Sequence, residues 1–142
     1  MNQMPAIINT ASSRVLLAVD SNRQVQQLLR HAFHNCFDHI YTAGTVTEAD
    51  MILRNFQMTH LLCELDLERH NDGLSLTAKW RKMYPGILRV CIFCGSEFTH
   101  KPLPKHIDGV YFKGDSLTGL KSLLLSSHRE TNAASRRIRE IE

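Results

Sequence analysis

Short, continuously apolar runs alternate with amphipathic stretches along most of this chain. The first run, residues 14–20 (RVLLAVD), ends in a carboxylate and is typical of a strand buried on both faces. Apolar residues then recur at intervals of three and four over residues 25–33, which predicts one face of a helix. Ser21 and Asn22 precede this stretch and can cap the helix.

The same alternation continues to the end of the predicted domain. It predicts strands at residues 14–20, 39–43, 59–65, 87–94 and 109–113, and later helices at residues 47–56, 74–83 and 117–125. Strands that alternate with helices indicate an α/β fold, with a parallel sheet covered on both faces. The pattern breaks after the fourth strand, where Pro102 and Pro104 lie two residues apart. Because proline disrupts a helix interior, we expect the fourth helix to be short or missing.

Length and composition fit one ordinary domain. The chain has 142 residues, is 43% hydrophobic and 22% charged, and carries a formal charge of +3. That charge is too small to indicate nucleic-acid binding without a clustered basic face, and no apolar run approaches a membrane span. We expect a cytoplasmic protein with a loose leader at residues 1–13, a domain at 14–126 and a charged tail at 127–142.

The cysteines and histidines do not indicate a metal site. Cys91 and Cys94 form a CxxC pair inside a predicted strand, where side chains three residues apart point to opposite faces. Buried free thiols in a reducing compartment therefore fit better than a zinc or redox site. His31 and His34 have helical spacing, but eight histidines are scattered along the chain and coincidence explains the pair better than a metal does.

Charged residues stand at the predicted carboxyl ends of three strands. Asp20 ends the first strand, Glu64 and Asp66 lie at the end of the third, and Lys113 ends the fifth. Open α/β sheets place functional groups in the crevice beyond this edge. These residues either carry out chemistry or only stabilise the fold through paired charges, and we favour the second interpretation.

Three motifs resemble the receiver domain of bacterial response regulators. VLLAVDSNRQVQQLL resembles the family's first strand, acidic pair and first helix, and TAGTVTEADMIL resembles the end of its second strand and its second helix. GVYFKGDSLTGLKSLL resembles its last strand, lysine and final helix, nearest to the transcription-factor subfamily of the nitrate-response type. The resemblance covers residues 14–126 and implies a three-layer, flavodoxin-like (βα)5 fold with a five-stranded parallel sheet.

The resemblance also implies a phosphoacceptor pocket, from which this chain departs at nearly every position. In the family an aspartate accepts phosphate, an acidic pair holds Mg²⁺, and a Thr or Ser and a Lys contact the phosphoryl oxygens. Here the acidic pair becomes Asp20-Ser21, and the Thr or Ser position becomes Cys94, whose thiol is a weak donor. Lys113 is kept.

Two carboxylates are candidates for the acceptor position. Counting from the second predicted helix places it at Glu64, whereas counting back from Asp72-Gly73 places it at Leu65, between Glu64 and Asp66. We favour Glu64, whose longer side chain would hold a permanent negative charge where a phosphoryl oxygen would lie. The alternative is a phosphorylatable receiver that accepts phosphate on Asp66 with bound Mg²⁺.

We therefore expect a stand-alone, degenerate receiver domain that is not an enzyme, needs no cofactor and acts without phosphorylation. Its expected partner is a transcription regulator, a sensor kinase or a second copy of the chain. Because the family's helix-turn-helix output domain is missing, we do not expect sequence-specific DNA binding by this chain alone. The expected partner surface comprises Glu97, His100, Lys101, Pro102, Pro104 and Tyr111.

Overall fold

The computed structural model describes residues 13–95, 98 and 102–125 of the chain. The strands are β1 (Val15–Val19), β2 (His39–Ala43), β3 (His60–Glu64), β4 (Arg89–Cys94) and β5 (Gly109–Phe112). The helices are α1 (Arg23–Phe33), α2 (Val46–Asn55), α3 (Asp72–Met83) and α4 (Leu117–Leu125). All strands pair in parallel in the order β2-β1-β3-β4-β5, which confirms the predicted α/β architecture.

Side-chain caps determine where the first two helices begin. The side chain of Asn22 accepts two backbone N–H bonds, of 2.8 and 3.1 Å, which confirms the predicted cap of α1. The predicted start of α2 at Thr47 needs correction, because Thr45 caps this helix by accepting the N–H of Glu48. The Glu48 carboxylate accepts the N–H of Gly44 in return. The arrangement differs from a capping box in that Glu48 reaches the residue before the cap, and it starts the helix earlier than the sequence pattern suggested.

Apolar side chains form a separate core cluster on each face of the sheet. Helices α2 and α3 cover one face, where Trp80 is fully buried, and α1 and α4 cover the other face, where Phe33 is fully buried. Cys94 belongs to the first cluster and Cys91 to the second, so the CxxC side chains point to opposite faces as predicted. Burial raises the pKa of the Cys91 thiol to about 12, which keeps it protonated and unreactive.

The connection between β4 and β5 is irregular. None of its described residues, 95, 98 and 102–108, is helical. Phe98 and Ile107 are nevertheless buried and join the core on the face covered by α2 and α3. Apolar side chains of this connection therefore cover the sheet where a helix is expected in the (βα)5 pattern.

The predicted leader and tail lie outside the described residues, apart from Ser13. In the described ranges, no helix combines the length and the apolar character that crossing a membrane requires.

A histidine is buried at the amino end of β3. The ring of His60 packs edge-on against Phe37 at 5.0 Å, and its Nδ1 atom lies 2.7 Å from the hydroxyl oxygen of Thr59. Burial lowers the pKa of His60 from 6.5 to about 4, and the nearby Arg89 and Arg14 act in the same direction. The folded domain therefore keeps this imidazole neutral at pH values where the unfolded chain protonates it.

This histidine should make the domain sensitive to acid. Since the pKa of His60 is lowered on folding, its stabilising contribution is complete above pH 6.5 and declines as the pH falls towards 4. The decline can reach about 3 kcal/mol in the free energy of unfolding. Urea denaturation across this pH range should show a flatter profile for His60→Gln. The matched control is His70→Gln, because the His70 side chain is 86% exposed; equal slopes in the two variants would contradict the assignment.

Candidate functional site

The carboxyl ends of three strands bring charged side chains together. Asp20 directly follows β1, Glu64 ends β3 and Lys113 directly follows β5. The ammonium nitrogen of Lys113 lies 3.3 Å from Asp20 Oδ2 and 3.2 Å from Glu64 Oε2. Ser21 completes this group, which we call the lysine cluster: Asp20, Ser21, Glu64 and Lys113. It forms at the sheet edge where parallel α/β folds place their functional residues.

Asp20 is the most buried member of the lysine cluster, with 1% of its surface exposed. Its Oδ1 atom accepts the N–H of Asn22 at 2.9 Å. Its buried Oδ2 atom has no hydrogen-bond donor in the described part of the chain and faces only the Lys113 ammonium group. Burial raises the pKa of Asp20; the Asn22 hydrogen bond opposes this effect, the Glu64 charge adds to it, and Lys113 opposes it. Lys113 is therefore the cation that limits the rise in the pKa of Asp20.

The carboxylate of Glu64 is engaged on both of its oxygens. Oε1 accepts the backbone N–H and the hydroxyl of Ser21, both at 3.0 Å, and Oε2 accepts the ammonium group of Lys113. Burial tends to lower the pKa of Lys113, but Asp20 and Glu64 outweigh this effect and raise it above its usual value. The ammonium group also lies 5.1 Å from the centre of the Phe93 ring, within the range of a cation–π contact. Lys113 is thus held as a permanent cation.

Asp66 lies apart from these contacts. Its side chain is 55% exposed, accepts the N–H of Asn71 at 2.6 Å and lies 3.6 Å from the ring nitrogen of His70. Of the two carboxylates that competed for the acceptor position, Glu64 is therefore the one that contacts Lys113. Asp66 instead stabilises the loop between β3 and α3.

Cys94 contacts the lysine cluster through its backbone. Its carbonyl accepts the N–H of Lys113 at 2.8 Å, while its side chain is buried in the core on the α2 and α3 face. This contact helps to position Lys113 at the end of β5.

Asp72 organises the β3–α3 loop, and this role of its side chain was not predicted from the sequence. Its carboxylate accepts backbone N–H groups from Leu67, Glu68 and Arg69, at 2.8, 3.0 and 3.1 Å. Glu68 in turn accepts the N–H of Val46 at 2.8 Å, at the start of α2. The sequence placed this carboxylate two residues before the predicted helix at 74–83, whereas α3 begins at Asp72, so that the carboxylate lies in the first turn, where such groups bind free N–H donors.

The predicted partner surface is only partly described. Glu97, His100 and Lys101 lie outside the described residues, whereas Pro102 is exposed and Pro104 is half-buried. Tyr111 was predicted to lie on this surface, but only 5% of its surface is exposed, so the structure corrects this prediction. Its ring stacks on Phe93 at 5.2 Å, and its hydroxyl donates to the carbonyl of Asp115. The tyrosine is buried because successive residues of β5 point alternately to the two covered faces of the sheet.

The lysine cluster does not fit a magnesium ion as it is arranged. Mg²⁺ requires several oxygen ligands in near-octahedral geometry. Three carboxylate oxygens of Asp20 and Glu64 accept protein donors, and the fourth, Asp20 Oδ2, faces the Lys113 ammonium group. A metal would have to displace Lys113, while the hydroxyl of Ser21 already donates to Glu64. In the described ranges, no group of three or more His, Cys, Asp or Glu residues is arranged to hold a metal.

Comparison by sequence and by structure gives different results. No protein-family model matches the sequence, and no curated protein is similar to it. Solved structures, in contrast, are similar in fold. The signal receiver domain of a two-component response regulator from Bacteroides fragilis superposes with a TM-score of 0.72 at 18% identity. This match covers 82% of the present chain and 98% of the other chain.

Two longer response regulators have similar scores. RcsB from Salmonella enterica, bound to a promoter with the phosphomimetic BeF3-, gives a TM-score of 0.69 at 16% identity. A response regulator from Burkholderia pseudomallei with a phosphorylated aspartic acid and a calcium ion gives 0.68 at 17% identity. Each match covers 84% of the present chain and 71% of the other. The chain therefore has the fold of the receiver domains of response regulators.

Proposed function

We propose that this chain is a receiver-like signalling protein that acts without phosphorylation, by binding another regulatory protein. The observation that carries the proposal is the ammonium group of Lys113, held 3.3 Å from Asp20 and 3.2 Å from Glu64. The receiver fold supports a signalling role, and the lysine cluster supports one that does not depend on phosphate.

The contacts of Glu64 reproduce part of what a phosphoryl group would provide. The resemblance to receiver domains implies a lysine and a hydroxyl residue that bind phosphoryl oxygens. In this chain Cys94 stands at the hydroxyl position, but Lys113 is kept and its ammonium group is already bound by the Glu64 carboxylate. Glu64 also accepts the hydroxyl of Ser21, which stands in the place of the second acidic residue. A permanent negative charge at the end of β3 therefore holds the lysine that a phosphoryl group would bind, and no phosphate donor is needed.

Asp66 is a poor candidate for the alternative function. The Burkholderia regulator carries a phosphorylated aspartic acid and a calcium ion. In this chain, the Asp66 carboxylate contacts Asn71 and His70, whereas Lys113 contacts Asp20 and Glu64. A phosphoryl group on Asp66 would gain the Lys113 cation only if Lys113 left two carboxylates, one of them fully buried. The loss of pairing for a buried carboxylate opposes this exchange.

The proposed partner is a transcription regulator or a sensor kinase in the cytoplasm, or a second copy of this chain. The RcsB structure shows a receiver fold within a protein bound to a promoter. For the present chain, we propose a role in regulating such a protein rather than in binding DNA itself. The role includes neither catalysis nor a cofactor.

Incubation with Mg²⁺ and a small acyl-phosphate donor tests this proposal. We expect intact-mass spectrometry to show no phosphoryl adduct on the chain. In NMR spectra, the amide signals of Asp20, Ser21 and Glu64 should not shift when Mg²⁺ is added, because the Lys113 ammonium group already lies between the two carboxylates. A receiver domain with a complete acidic pair, treated in parallel, controls for the activity of the donor.

Two substitutions identify the acceptor if an adduct does form. An adduct that disappears in Asp66→Asn but persists in Glu64→Gln would show a phosphorylatable receiver and would overturn the proposed function. Glu64→Gln preserves the shape of the side chain and removes only its charge, so it is a suitable partner for Asp66→Asn in this comparison.

A further inference from the structure

A cleft of about 310 Å³ opens at the end of the sheet opposite the lysine cluster. Its walls are residues 53–58, where α2 ends and the chain leads into β3, together with Tyr84 and Gly86 in the turn after α3. Because all strands are parallel, segments that lead into β3 and β4 lie at the amino ends of the strands. The cleft is therefore separate from the site described above.

One of the large exposed apolar residues, Phe56, lines this cleft. Three others in the described ranges lie within two residues of its lining residues along the chain: Met51, Met83 and Leu88. Phe56 is 50% exposed, yet its ring stacks on Tyr41 with the centroids 4.8 Å apart. A half-exposed aromatic ring held in place in this way is a preformed apolar contact surface.

Among the residues that line the cleft, Arg54 is the one charged side chain. The nearest carboxylate along the chain, Asp50, lies one helical turn before Arg54 and accepts the indole N–H of Trp80 at 2.8 Å. Arg54 lines the cleft, is exposed, and forms no ion pair within the part of the chain that the structure describes. This guanidinium group is available to bind a carboxylate bidentately.

We propose that this cleft binds an acidic segment of a protein partner that carries a large apolar side chain. The apolar side chain would pack beside Phe56, and flanking carboxylates would face Arg54. A protein segment suits the mixture of apolar and cationic groups better than a nucleic acid, which is recognised mainly through its phosphates. The inference rests on the proposed function, because it requires a protein partner. It assigns the contact surface to this cleft, whereas the sequence predicted a surface at the β4–β5 connection.

Binding of a fluorescent synthetic peptide tests the inference. The peptide consists of Asp and Glu residues around a central Leu-Phe pair. We expect saturable binding by fluorescence anisotropy, with NMR shifts concentrated at residues 54–57 and 84–86. Arg54→Glu should weaken binding about tenfold or more, because it replaces an attractive charge by a repulsive one. Phe56→Ser should also weaken binding, since it removes the apolar contact.

Matched substitutions on α1 separate a specific site from general effects. Leu28 is 49% exposed, similar to Phe56, and Arg23 is exposed like Arg54. We expect Leu28→Ser and Arg23→Glu to bind the peptide as the unmodified chain does. Because all four side chains are exposed, circular dichroism should show a folded domain in each variant.

Three outcomes would overturn the inference. The first is no binding, and the second is binding with NMR shifts away from the cleft or without sensitivity to Arg54→Glu. The third is equally tight binding of a peptide without the Leu-Phe pair, or of a single-stranded oligonucleotide, which would show unspecific attraction to positive charge. The proposed function fails by a different result, the appearance of a phosphoryl adduct, so the two failures are distinguishable.

Discussion

Replacing Gly73 by alanine should destabilise the domain by about 3 kcal/mol, since the new methyl group would force the backbone to move. A Cβ atom at this position would overlap the carbonyl oxygen of Glu64 and lie 3.0 Å from both the Cα and the carbonyl oxygen of Leu65. The Gly73 N–H donates to the Leu65 carbonyl at 2.8 Å. The first turn of α3 therefore lies directly on the end of β3, and only glycine permits this close approach.

Urea and thermal denaturation measure this effect, which corresponds to a loss on the order of 10 °C in the melting temperature. Gly119→Ala is the matched control, because Gly119 is exposed in α4 and its new Cβ would meet only the Ser116 hydroxyl, at 3.8 Å. This control should be stabilised by up to about 1 kcal/mol through its helix propensity. Similar stability of the two variants would contradict the close contact between α3 and β3.

The same contact links the fold to the lysine cluster. The backbone carbonyl of Glu64 lies against Gly73, and the side-chain carboxylate of Glu64 forms the ion pair with Lys113. A backbone shift that relieves the overlap would move Glu64 as a whole. In a Gly73→Ala variant that still folds, we therefore expect the NMR signals of Ser21 and Lys113 to shift as well.

The sequence was sufficient to predict the fold because the strands are short and continuously apolar. Val15–Val19 and Arg89–Cys94 are buried over nearly their whole lengths, which apolar runs between turn residues predict directly. Convergence of Asp20, Glu64 and Lys113 follows from the same prediction, because parallel strands end at one edge of the sheet. Local signals also predicted the Asn22 cap of α1.

Features that depend on exact register or on distant contacts could not be predicted in this way. The choice between Glu64 and Asp66 requires knowing where β3 ends, because Glu64 is the last residue of the strand and Asp66 lies in the loop after it. The burial of Tyr111 depends likewise on the register of β5. Arg81 and Asp108 are 27 residues apart, and no local pattern indicates that they meet.

Charge pairing occurs at both ends of the sheet, in different surroundings. At the carboxyl end, Lys113 pairs with Asp20 and Glu64 in a pocket that remains open to solvent, since the Lys113 side chain is 32% exposed. At the amino end, Arg81 pairs with Asp108, whose side chain is 5% exposed. The second pair connects α3 to the start of β5. Because it lies outside the lysine cluster, it tests the stability of the fold separately from the proposed function.

Replacing Arg81 by methionine should cost about 3–5 kcal/mol of stability, because the buried carboxylate of Asp108 would lose its cation. Arg81 Nη1 lies 2.9 Å from Asp108 Oδ2, and the guanidinium group also donates to the carbonyls of His106 and Leu88. The N–H of Val90 donates to the same Asp108 oxygen at 2.9 Å. This arrangement fixes the end of α3 against the starts of β4 and β5.

Two further variants distinguish the loss of the ion pair from the loss of packing. Lys82→Met changes the neighbouring exposed residue and should leave the free energy of unfolding nearly unchanged. Arg81→Met combined with Asp108→Asn should recover part of the lost stability in urea denaturation, because the neutral amide costs less to bury than a carboxylate without its cation. The contrary outcome is additivity, in which the double variant loses the sum of the stability losses of the two single variants. The two residues would then be energetically independent. The contribution of Arg81 would then come from its hydrogen bonds to the carbonyls of His106 and Leu88.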